Sequence, residues 1–195
     1  MSMQIIELVI DEDSEDVGVE AVSVVNQPAI EVDFVALKNQ AIQLKEIDSD
    51  KRILLGPALI PNKQIYRNDE EFGEYYIFFS KDTVRQASEL FLKAHRQQSA
   101  TFEHDYEVAG MTIVESWVVD EPEKDKSALY GFSVPKGTWM ISMKVDNDEV
   151  WADVKAGKVK GFSIEGHFAD KVQMKKMSKD EQLLATIKKI ITENA

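Results

Sequence analysis

The sequence predicts a β-rich α+β domain, with a barrel-like core and helices outside it. Three observations lead there. Short runs rich in β-branched and aromatic residues recur along the chain, whereas segments of helical period are few and end in recognisable caps. The 195 residues are 44% apolar, enough to bury a core and too many for global disorder. Seven or eight strands against three helices favour a sheet-based architecture.

In order along the chain, residues 4–10 (QIIELVI) form a strand-like run, followed by an acidic block, Asp11 to Asp16. That block reads as a solvated loop, because a calcium loop needs glycine at its sixth position and Asp16 stands there. Residues 17–37 hold two β-rich pieces broken by Pro28, and 38–51 are a polar connector. Arg52–Leu59 and Glu74–Ser80 are strands. Ser80 then caps a helix over 81–95, with Val84, Ala87, Phe91 and Ala94 at helical spacing. Ser99–Asp105 and Met111–Asp120 read as two strands of a hairpin. A charged turn follows over 121–127, and then a strand over 137–145. Asp146 and Glu149 make a capping box for a short helix over 147–156, which Gly157 ends. Val159–Phe168 is a strand. Ser178 and Glu181 open an amphipathic C-terminal helix with Leu183, Leu184, Ile187, Ile190 and Ile191 on one face.

Composition removes whole classes of chemistry. There is no cysteine, so disulfides, thiolate metal sites and cysteine nucleophiles are excluded. A net charge of −12 argues against coating nucleic acid, which runs on phosphate neutralisation. No apolar run is long enough for a membrane span, and the N-terminal residues lack the basic region of a secretory signal. HExxH, P-loop, GxGxxG and GxSxG patterns are all missing. No cofactor or metal is expected.

What remains is nucleophilic chemistry. In the strand 159–168, Phe162, Ile164 and Phe168 share one face, and Ser163, Glu165 and His167 share the other. Ser163 lies between Gly161 and Gly166, which leave room beside its hydroxyl. A serine needs a base to take its proton, and the base is usually histidine. Of the three histidines, His95 reads as a helix-end residue. His104, at a strand end between Glu103 and Asp105, is the candidate base. Glu115 is a carboxylate in an apolar row, and the expected hairpin would bring it within reach of His104 to orient the imidazole. His167 is a reserve candidate, too far along its strand from Ser163 for a direct bond.

These residues sit within a set of ordered motifs. They are VSVVNQPAI at 22–30, GPALIP at 56–61, IYR at 65–67, Glu103-His104-Asp105, Val114 to Trp117 and Gly137 to Met140. The last runs from Trp151 and ends in Gly161-Phe162-Ser163-Ile164-Glu165-Gly166. Over roughly residues 5–170 the chain resembles the XkdF-like phage serine proteases, relatives of the prohead (capsid-maturation) proteases.

The resemblance implies a fold like herpesvirus assemblin, a β-barrel wrapped by helices, and a histidine followed in the chain by a nucleophilic serine. His104 and Ser163 match that order. Assemblin takes its third member from a histidine well downstream of the serine. No histidine follows His167 here, so Glu115 is the expected third member, with Asp105 and Glu165 behind it.

The implied function is a serine endopeptidase that cleaves scaffold or major capsid protein inside the procapsid, in the host cytoplasm. The alternative is a catalytically silent assembly or scaffold protein on the same fold. Homo-oligomerisation is left open. The expected organisation is an N-terminal β-rich segment over 1–50, a protease core over 51–171 and a C-terminal helix over 172–195, which would tether the enzyme to scaffold or shell.

Overall fold

A computed structural model describes residues 3–11, 18–30, 35–37, 51–69 and 73–171. The expected acidic loop, the connector over 38–51 and the C-terminal helix lie largely or wholly outside these residues. The described elements are strands β1 (Gln4–Val9), β2 (Gly18–Val25), β3 (Val35–Leu37), β4 (Ile53–Leu59), β5 (Ile65–Asp69), β6 (Gly73–Phe79), β7 (Ala100–Phe102), β8 (Tyr106–Glu107), β9 (Met111–Val118), β10 (Trp139–Val145), β11 (Gly161–His167) and β12 (Ala169–Asp170). Three helices accompany them: α1 (Lys81–Lys93), α2 (Lys126–Leu129) and α3 (Asp148–Lys155).

The fold is α+β and mostly sheet. Its strands form three four-stranded sheets, ordered β12-β1-β6-β5, β3-β4-β10-β9 and β11-β2-β7-β8. Among the described residues no ladder closes into a barrel; three short sheets pack around shared apolar contents instead. One cluster joins all three: Ile6 and Ile77 from the first sheet, Leu54 and Ile141 from the second, and Val22 and Phe162 from the third. Helix α1 lays Val84, Ala87 and Phe91 into the same cluster, and the Phe91 ring meets Trp139 edge-on at 5.5 Å. Alternation explains the sidedness. In the first sheet Ile6, Ile77 and Ile65 align across three strands and are buried, whereas their outward neighbours Ile5 and Tyr66 are exposed.

Helix ends follow their local chemistry. Ser80 caps α1 and accepts the Thr83 N–H. The C-terminus of α1 closes in a Schellman arrangement: Arg96 N–H donates to the Phe91 carbonyl and His95 N–H to that of Leu92, with His95 at φ 56°. Helix α3 starts one residue later than the capping box suggests. The side chain of Asn147 accepts the Glu149 and Val150 N–H groups, while Asp146 is drawn back to Gly110 through its own N–H. The charged turn over 121–127 ends in α2, capped by Asp125.

One expected pairing is corrected. Residues 99–105 and 111–120 do not form a hairpin with each other. The chain reverses early, at 103–105, so β7 pairs back on β8 and lies parallel to β2. Strand β9 instead joins β10 in another sheet.

Candidate functional site

The third sheet places the hydroxyl chemistry. Ser163 on β11 stands opposite Ser23 on β2, and Ser23 stands opposite Thr101 on β7. Three hydroxyl residues therefore form one row across three strands. Directly opposed residues share a face with Cβ atoms about 5 Å apart. Glu165, two positions beyond Ser163, belongs to that face as well. Its register partner is Ala21, whose small side chain lets the Glu165 carboxylate reach across β2 toward β7.

His104 is brought to this face by an unusual turn. Glu103 and His104 have φ of 51° and 63°, and the Asp105 N–H donates to the Phe102 carbonyl at 2.9 Å. Positive φ at two successive central residues is the type I′ pattern, which favours asparagine and glycine. Neither is present, so the turn is strained. It persists because β2 clamps it from one side. Glu103 N–H donates to the Val24 carbonyl at 3.1 Å, the Glu103 carboxylate accepts the Asn26 N–H at 2.8 Å, and His104 N–H donates to the Ser23 hydroxyl at 3.1 Å. Strain held in place by surrounding bonds is a feature of functional sites.

The imidazole and a carboxylate then meet. His104 Nδ1 lies 2.9 Å from Glu165 Oε1, and the Thr101 hydroxyl donates to the same oxygen. The pair is partly open to solvent, with side-chain exposures of 41% for His104 and 31% for Glu165. A cleft of about 430 Å³ opens here, lined by Glu20, Ala21, Thr101, His104, Tyr106 and Glu165 among others. Ser163 is half-buried, and among the described residues no hydrogen bond joins its hydroxyl to His104.

The other sequence candidates lie elsewhere. Glu115 faces Ser142 across the β9–β10 ladder and accepts hydrogen bonds from the Ser142 hydroxyl and Lys126 Nζ. Those two bonds, the lysine's first, hold the Glu115 carboxyl below the usual carboxylate range against the opposing effect of burial. With β9 in a different sheet from β7, the acid beside His104 is Glu165, not Glu115. Asp105 is exposed at the end of the turn. His167 Nε2 lies 3.5 Å from Glu20 rather than near Ser163. His95 is the α1 cap described above. Among the described residues no cluster of acids and histidines could hold a metal ion.

Sequence reasoning missed Ser23 and Thr101. Their roles depend on the parallel pairing of β2 with β7, two strands far apart in the chain, and no local pattern announces it. Glu165 did carry a signal, its two-residue spacing from Ser163.

The structure thus sets an imidazole against a carboxylate on the sheet face to which Ser163 belongs by register. A family model described as "Putative phage serine protease XkdF" matches residues 41–173, and the chain belongs to that family. It is similar to the "Uncharacterized protein YqbD" of Bacillus subtilis (strain 168), 27% identical over 157 residues, covering 74% of this chain and 43% of the relative. The "Phage-like element PBSX protein XkdF" of the same organism is 28% identical over 89 residues, covering 46% of this chain and 30% of the relative. The chain thus spans less than half the length of these curated relatives. No solved structure matches it.

Proposed function

We propose that the chain is a serine endopeptidase of phage capsid maturation, with Ser163 as nucleophile, His104 as general base and Glu165 as the acid that orients the imidazole. The observation that carries this reading is the His104–Glu165 contact at 2.9 Å, on the face that bears Ser163. Glu165 replaces Glu115 in the role the sequence suggested. The assemblin-like reading of the three sheets rests on the resemblance.

The chemistry is acyl transfer. His104 Nε2 takes the proton of the Ser163 hydroxyl as its oxygen attacks the peptide carbonyl. The proton then passes to the leaving amine, and water attacks the acyl-enzyme by the reverse route. Glu165 on Nδ1 fixes the tautomer that leaves Nε2 free to accept. The Ser163 to His104 bond forms as substrate closes the site, since catalytic hydrogen bonds are often long in free enzymes. The substrates are scaffold and major capsid protein, cleaved within the procapsid in the host cytoplasm.

Co-expression with the capsid protein, read by mass spectrometry, tests this. Wild type should trim the capsid protein, and Ser163→Ala and His104→Ala should not. Glu165→Gln should slow trimming by about 10²–10⁴-fold, and Glu115→Gln should leave it unchanged. The absent Ser163 to His104 bond favours a second reading, a silent assembly protein on the same fold. Wild type that binds capsid protein and never cleaves it would establish that instead.

A further inference from the structure

Ser163 is not among the residues lining the His104 cleft but lines a separate cavity. This cavity has a volume of about 440 Å³ and lies between β11 and the strands β1, β4, β5 and β6. Most of the side chains that line it are apolar, Leu8, Ile30, Leu59, Phe79 and Phe168 among them, and Ser163 is part of the lining. Among the described residues, Arg67 and Asp170 are the charged ones in its lining. Along β11 the lining takes Phe162, Ile164 and Gly166, the face opposite Glu165. The strand that carries Ser163 therefore separates two spaces: the polar cleft with His104 and Glu165, and this apolar one. Such a void draws little from water and gains most from an apolar group that fills it.

From this geometry we infer that the apolar cavity is the side-chain subsite of the protease, taking one large aliphatic or aromatic residue of the peptide within two positions of the scissile bond. The inference rests on the reading of Ser163 as nucleophile. An extended peptide crossing Ser163 turns successive side chains to opposite sides. With its carbonyl on the His104 side, a neighbouring residue is directed to the apolar side. Recognition would then come from burial, and discrimination from the loss of it. Removing one buried methylene from that residue should lower kcat/KM by about 10–200-fold.

Two measurements on the full chain separate this from the reading beneath it. The first is covalent labelling by a small alkyl fluorophosphonate, located by peptide mass spectrometry. The second is the cleavage profile on a mixed peptide library. Labelling at Ser163 together with Leu, Ile, Met or Phe enriched at one fixed position beside the cuts is the expected result. Ala58→Phe, which fills the cavity from β4, should keep the labelling and shift that position toward Gly and Ala. If Ala58→Phe does not fold, Leu8→Ala enlarges the same space and should shift the position toward Phe and Trp. Labelling with cuts indifferent to neighbouring side chains would overturn the subsite alone, as would a folded variant with an unchanged profile. No labelling in folded wild type would overturn the nucleophile and the subsite together.

Discussion

At the scale of single residues, the site is a set of bonds whose loss should be separable. Thr101 is buried and touches the Glu165 carboxylate, so in the proposed reaction its effect passes through that acid. Thr101→Val should lower kcat by about tenfold, the equivalent of one hydrogen bond, with little change in KM, and Thr101→Ser should restore it. A purely structural role would instead move the unfolding midpoint of Thr101→Val and Thr101→Ser alike. Ser23 is fully buried and holds the His104 N–H. Ser23→Ala leaves that amide without its partner in a strained turn, and should cost about 1–3 kcal/mol by urea titration. Glu115 belongs to a different account, that of acid stability. Its carboxyl ionises more readily folded than unfolded, so it stabilises the fold above the ordinary carboxylate pKa of about 4.3, and that contribution disappears as pH falls through the lower folded value. Glu115→Gln should therefore lower Tm at pH 7, with the gap to wild type closing under strong acid. A gap of equal size at both ends would show that packing, not charge, is involved.

At the scale of elements, backbone geometry sets the tolerances. His95 occupies a left-handed position that glycine fills without strain, and it is exposed. His95→Gly should raise stability by about 1 kcal/mol, or about 2–4 °C in Tm. Gly166 is the opposite case. A Cβ there would lie 2.0 Å from the Gly18 carbonyl oxygen and 2.8 Å from the Val19 Cα, beside the register shift that follows Glu165. Gly166→Ala should destabilise by about 3 kcal/mol and displace Glu165 from His104, visible as loss of cleavage beyond the loss of fold. The same scale shows what the sequence reveals. Period and caps are local, and they located the strands over 4–10, 74–80 and 137–145, the α1 cap at Ser80 and the shared face of Ser163 and Glu165. Pairing is not local. The hairpin expected between 99–105 and 111–120 failed because the turn at Glu103 and His104 lacks the Asn-Gly signature that would have announced it. The alignment of Ser23 with Thr101 likewise depends on a parallel contact between β2 and β7, for which composition gives no hint.

At the scale of the whole molecule, the three sheets should act as one cooperative unit. Their inner faces share a single cluster, and α1 ties them, with the Phe91 ring against Trp139 between helix and sheet. The candidate site has no separate support: β2 and β11, which carry Ser23, Ser163 and Glu165, turn Val22, Val24 and Phe162 into that same cluster. The site cannot come apart while the core remains, nor survive once the core melts. Tryptophan fluorescence, which samples Trp139 and Trp151 in the cluster, should therefore trace the same urea transition as far-ultraviolet circular dichroism. Fluorophosphonate labelling of Ser163 should vanish at that midpoint too. Phe91→Ala, which empties a fully buried position on α1, should cost about 3–5 kcal/mol and move all three curves together. A labelling curve that collapses well before the other two would mean that the turn at His104 opens on its own. Its strain would then be relieved by local unfolding rather than held by the sheet, and the clamp formed by β2 would not be what keeps the imidazole in place.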